Sequence, residues 1–149
     1  MWTAFSALAA AAQWSLTAIG LVGDAMRLAD RAVGGALFVA AGLYQLTPLK
    51  RICLANCRTP LAFLTLQWRP GFRGALSMGL RHGAYCVGCC CFVMALLFAG
   101  GVMNLAWVVA IAAFVLAEKV LPFGERVGMA AGALALATGA YFIAAPLLF

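Results

Sequence analysis

The chain has 149 residues, is 66% hydrophobic and only 9% charged, and carries a net charge of +6; its mean hydropathy is +1.05. A soluble domain has about 25% charged residues, so the composition excludes an ordinary soluble globular protein and makes lipid the expected solvent. The positive balance does not indicate a nucleic-acid partner: the basic residues fall between apolar runs without a basic aromatic patch or a glycine-rich phosphate loop, a pattern the positive-inside rule explains more simply.

The expected fold is all-α, a single transmembrane domain over 1–149 built as a polytopic helix bundle of about five spans. The first span covers 2–22, near the length a bilayer core requires. It lacks a basic leader and a convincing cleavage site, so it is read as a retained helix rather than a signal peptide. Asp24, Met26, Arg27, Asp30 and Arg31 then form a short polar connection. The second span covers 32–49, where Pro48 should kink or stop the helix because its ring removes an N–H and clashes with the preceding turn. Tyr44 is placed as an interfacial aromatic.

Residues 50–81 form the longest polar stretch, with Lys50, Arg51, Arg58, Arg69, Arg73 and Arg81 and no acidic residue. So basic a loop should stay in the cytoplasm. A short interfacial helix is expected near 60–67, followed by a turn at Trp68-Arg69-Pro70-Gly71. The third span covers 83–101 and the fourth 104–120, joined by an uncharged turn at Gly100, Gly101 and Asn104. The fifth covers 127–147. This order puts the N-terminus in the cytoplasm and the C-terminus outside. Gly34-Gly35, Gly100-Gly101 and Gly128 with Gly132 are candidate points of close helix contact.

Chemistry concentrates in the cysteines. Four of the six lie in one short run, Cys86, Cys89, Cys90 and Cys91. On a helix with His82 at zero, Cys86 falls at about 40°, Cys89 at about −20° and Cys90 at about 80°, while Cys91 points away. Met78 at about −40° and Met94 at about 120° extend the stripe. Gly83 and Gly88 would let a neighbouring segment approach. Cys53 and Cys57 are spaced i to i+4 and share a face if helical. These are soft donors suited to copper(I), with zinc as second choice. The candidate metal ligands are Cys53, Cys57, His82, Cys86, Cys89 and Cys90, with Met94 auxiliary; the competing reading is that the thiols merely pack as small apolar groups. Arg51 and Arg58 lie close enough in sequence to act on the Cys53 and Cys57 thiols. Glu118-Lys119 reads either as an ion pair at a helix end or as a carboxylate facing the bundle. No catalytic constellation is present, so the chain is expected not to be an enzyme.

Taken together, Tyr44-Gln45-Leu46-Thr47-Pro48-Leu49-Lys50, Cys53-x-x-x-Cys57-Arg58-x-Pro60, Gly79-Leu80-x-His82-Gly83-x-x-Cys86-x-Gly88-Cys89-Cys90 with Met94, Met103-Asn104-Leu105 and Glu118-Lys119 resemble a bacterial family of predicted metal-binding integral membrane proteins, a domain of unknown function. The resemblance runs over about residues 32–140. It implies an all-helical protein of the bacterial inner membrane with metal ligands at these Cys and His positions. Family members are usually longer, with a Met-rich N-terminal half that is missing here, so the chain is expected to be a short form or a fragment, or to have the rest supplied by a second polypeptide. Copper delivery, storage or export is the first functional expectation. A structural or assembly subunit of a larger membrane complex is the alternative, and a thiol redox protein a third.

Overall fold

The computed structural model describes residues 1–23, 28 and 30–148. Asp24, Met26 and Arg27 of the expected polar connection lie outside the described residues. The described chain is helical: α1 Trp2–Ala18, α2 Arg31–Leu46, α3 Pro48–Arg58, α4 Pro60–Leu66, α5 Gly71–Ala95, α6 Leu97–Gly100, α7 Leu105–Val120 and α8 Gly124–Leu148.

Local signals set these boundaries. Helix α1 closes at Gly20, where a positive φ of 74° lets Leu21 N–H reach Leu16 O and Gly20 N–H reach Thr17 O, both at 3.0 Å. This is the paired closure that a left-handed glycine permits. Asp30 caps α2 by accepting from the N–H groups of Ala32 and Val33. Thr47 caps α3 and Pro48 occupies its first turn, the position where a missing N–H costs nothing. The chain therefore bends by 68° between α2 and α3. Asn104 Oδ1 accepts from Trp107 N–H to start α7.

The expectation of five bilayer-length spans is corrected. Among the described residues two helices are long and apolar enough to cross a membrane, Gly71–Gly100 and Gly124–Ala145, or three if the bent pair α2 and α3 counts as one. The segments expected at 2–22 and 104–120 are helices of 17 and 16 residues, cut short by the Gly20 closure and by the turn that begins at Leu121. The expected loop at 50–81 is also corrected: it holds α3, α4 and the first half of α5. After Pro70 nothing interrupts the backbone, so the third helix begins 12 residues before Gly83. The expected short helix near 60–67 is α4, and the expected turn at 68–71 leads into α5.

The closest pairing joins α2 and α8, which run antiparallel. A Cβ on Gly42 would lie 2.7 Å from Gly132 O, and one on Gly139 2.6 Å from Gly35 O. Glycines seven residues apart on each helix thus bring two backbones into contact. Gly34, by contrast, has nothing within 4 Å. Helix α3 packs on α5, and α7 lies against α8 and α5. Ala41, Leu54, Cys89, Cys90, Val93, Leu96, Ile111 and Val115 form the core.

Candidate metal centre

Two helices bring the thiols together. On α3, the i to i+4 spacing puts Cys53 and Cys57 on the face turned to α5. Cys53 Sγ lies 3.1 Å from where a Gly88 Cβ would be, so Gly88 provides the room for this approach. One turn further, Cys57 packs, partly buried, against the core that contains Cys89 and Cys90. Within α5, Cys89 and Cys90 donate to Cys86 O at 3.1 and 3.2 Å, and both are buried in the core.

The remaining candidates lie around this group. Met94 packs against the core and, with Cys91, lines a cavity beside α1. His82 lines another cavity with Leu64, Trp68, Arg69 and Met78, one turn before Cys86. The Met78 sulfur accepts Arg69 N–H at 3.2 Å. Among the described residues no group of three or more His, Cys, Asp or Glu side chains is arranged as a formed metal site.

The charges around the thiols differ from the expected ones. Arg51 pairs with Glu125 at 3.1 Å on the surface. Arg58 donates from Nε to Lys119 O at 3.2 Å and from its terminal nitrogen to Leu121 O, satisfying carbonyls at the end of α7. The cation at the thiols is instead Lys119, whose Nζ donates to Cys86 Sγ at 3.2 Å.

Glu118 and Lys119 do not pair with each other, which corrects the helix-end ion pair. Glu118 is 1% exposed and Lys50 2%, and the two form a buried ion pair. Gln45 Nε2 also donates to the Glu118 carboxylate at 3.3 Å. Gly128 of α8 leaves the space, since a Cβ there would meet both charged groups. The signal for this lay in the sequence: adjacent residues on a helix do not face each other, so Glu118 and Lys119 each needed a partner elsewhere. Tyr44, expected at the interface, instead donates from its hydroxyl to Gly88 O at 2.5 Å and stacks on Phe92. This ties α2 to the cysteine-bearing stretch of α5.

The arrangement is a thiol group shared by two helices, buried at Cys89 and Cys90 and half-buried at Cys53, Cys57 and Cys86, with one ammonium held against Cys86. Its donors are those that select copper(I) over harder ions. Comparison with curated proteins and with solved structures finds no match. Comparison with protein families gives one over residues 1–142, wider than the 32–140 carried by the motifs, and on this match the chain belongs to the PpoB2 copper chaperone family.

Proposed function

We propose that this chain is an integral membrane chaperone that carries copper(I) on the thiols of Cys57, Cys86 and Cys89, with Cys53 and Cys90 flanking them. The observation that carries the reading is the packing of α3 on α5 at the cysteines: Cys53 Sγ lies 3.1 Å from the place of a Gly88 Cβ, and Cys57 packs against the core that holds Cys89 and Cys90. Copper(I) is satisfied by as few as two soft donors, so a thiolate pair suffices as a landing site and a third thiol can assist exchange. Binding would displace the protons of the ligating thiols, including the one that Cys89 donates to Cys86 O. A two-thiolate copper(I) centre carries net negative charge, and the Lys119 ammonium at Cys86 offsets it. Transfer to a partner then proceeds by one incoming thiol or thioether replacing one of these ligands at a time.

Membrane integration rests on the two long apolar helices and on outward apolar side chains such as Leu8, Trp14, Leu105, Leu116 and Leu134, far more than a soluble monomer exposes. The basic residues of α3 and early α5, with Arg69 between α4 and α5, favour the cytoplasmic face for the Cys57 end. Cargo binding is the chain's task, and it is not an enzyme.

Anaerobic titration of the purified protein with copper(I) against a chromophoric chelator tests the proposal. About one copper per chain should resist the chelator. Cys57→Ser should lose at least tenfold in affinity and Cys91→Ser should match the parent. A parent that holds no copper, or a Cys57→Ser variant that binds as well as the parent, overturns it.

A further inference from the structure

A second site lies away from the thiols, near the start of α5. An open cleft of about 520 Å³ is lined by Met1, Arg73, Leu76, Ser77, Leu80 and Arg81. With Arg73 at zero on the helix, Ser77 falls at about 40°, Arg81 at about 80°, Leu80 at about −20° and Leu76 at about −60°. One face of α5 thus carries two guanidinium groups with a hydroxyl between them, flanked by two leucines. Met1 bounds the cleft from the start of α1: a Cβ on Gly83 would come 2.9 Å from its side chain.

Neither guanidinium is neutralised within the protein. Glu118 is held by Lys50, Glu125 by Arg51, and Asp30 caps α2. No other described residue has a carboxylate side chain, so Arg73 and Arg81 line the cleft without a counter-charge among the described residues. Both arginines are exposed, and Leu76 and Leu80 are 52% and 46% exposed, so unpartnered positive charge stands beside bare apolar surface. The depth is also defined. The helix Gly71–Gly100 has 30 residues, about 45 Å of helix against a hydrocarbon core of about 30 Å. From Gly83 to Gly100 it carries no charged residue, so the surplus falls at the arginine end. Arg73 and Arg81, about 12 Å apart along the axis, therefore lie at headgroup level.

We propose that this cleft binds the phosphate of an anionic phospholipid, held by Arg73 and Arg81, with Leu76 and Leu80 against its acyl chains. A guanidinium matches phosphate oxygens through paired hydrogen bonds, and basic pockets on the cytoplasmic side of membrane proteins take anionic headgroups. A free phosphate satisfies the arginines but leaves the leucines bare. A zwitterionic lipid covers the leucines but brings its own cation to two more. The inference rests on the membrane reading above and not on copper.

The test titrates the purified full chain in neutral detergent with phosphatidylglycerol or phosphatidylcholine of the same acyl chains and counts bound lipid by native mass spectrometry. Two arginines should favour the anionic lipid about 10- to 30-fold. Arg73→Gln with Arg81→Gln should bring the two lipids to parity. Arg69→Gln with Arg126→Gln removes the same charge outside the cleft and should keep the preference. Equimolar glycerol phosphate, which offers the phosphate without the chains, should not displace the lipid. Equal affinities in the parent, a preference lost equally in both double variants, a preference kept in the cleft variant, or displacement by glycerol phosphate each overturn the proposal. Incorporation into nanodiscs is scored separately. A chain that stays out of the bilayer refutes the membrane reading, whereas one that inserts without a lipid preference refutes only this site. The comparison within the parent stands even if a variant fails to fold.

Discussion

Lys119 Nζ stands 3.2 Å from the sulfur of Cys86, while its neighbour Glu118, about 100° around the same helix, is turned onto Lys50. One helix end thus contributes an anion to a structural pair and a cation to the thiol group. Arg58 holds that end in place through the carbonyls of Lys119 and Leu121.

Lys119→Met should lower copper(I) affinity about tenfold, the scale of one charge-assisted hydrogen bond, with little change in thermal stability. Competition against a chromophoric chelator, run beside thermal unfolding, separates the two. Unchanged affinity would remove Lys119 from the centre.

The Lys50–Glu118 pair is expected to behave as a buried ion pair. Lys50→Met or Glu118→Leu alone should destabilise by about 3–5 kcal/mol, because each leaves a charge without its partner. The double variant should recover most of that loss. Thermal unfolding in detergent measures all three, and additive losses would argue against the coupling.

Gly34 and Gly35 are adjacent but differ in what surrounds them. Gly35→Ala should destabilise by about 1–3 kcal/mol through overpacking, since its Cβ would lie 2.8 Å from Ile143 and 2.9 Å from Gly139 O. Gly34→Ala should be neutral or stabilising by up to about 1 kcal/mol, the helix-propensity gain. The same unfolding assay checks the contrast.

The proposed orientation is tested with single cysteines in a chain whose six native cysteines are Ser. Met103→Cys, in the turn before α7, should react with an impermeant maleimide in intact cells. Thr59→Cys, between α3 and α4, should react only after permeabilisation. The reverse pattern would invert the topology.

Much of this molecule was legible in its residues. The all-helical class, the break at Thr47-Pro48, the turn at 68–71, the turn at Gly100, Gly101 and Asn104 and the short α4 all follow from local chemistry. So does the phase of the cysteines: a period of 3.6 residues sets Cys91 apart from Cys89 and Cys90, and Cys91 lines the cavity beside α1 while the other two are in the core. The length of the crossings was misjudged, because apolar residues on both sides of a helix break read as one run.

Partners across helices were a different matter. The i to i+4 spacing established that Cys53 and Cys57 share a face, but only the packing of α3 on Gly88 turned that face to the cysteine-bearing stretch of α5. A chain of basic residues read as a cytoplasmic loop, yet Lys50 within it is buried on Glu118 and Arg58 closes α7. Periodicity is a property of one helix, set by its own hydrogen bonds. Which faces meet depends on the rotation and register of several helices at once, and these were decided by the Gly35, Gly42, Gly132 and Gly139 contacts and the buried Gln45–Glu118–Lys50 network.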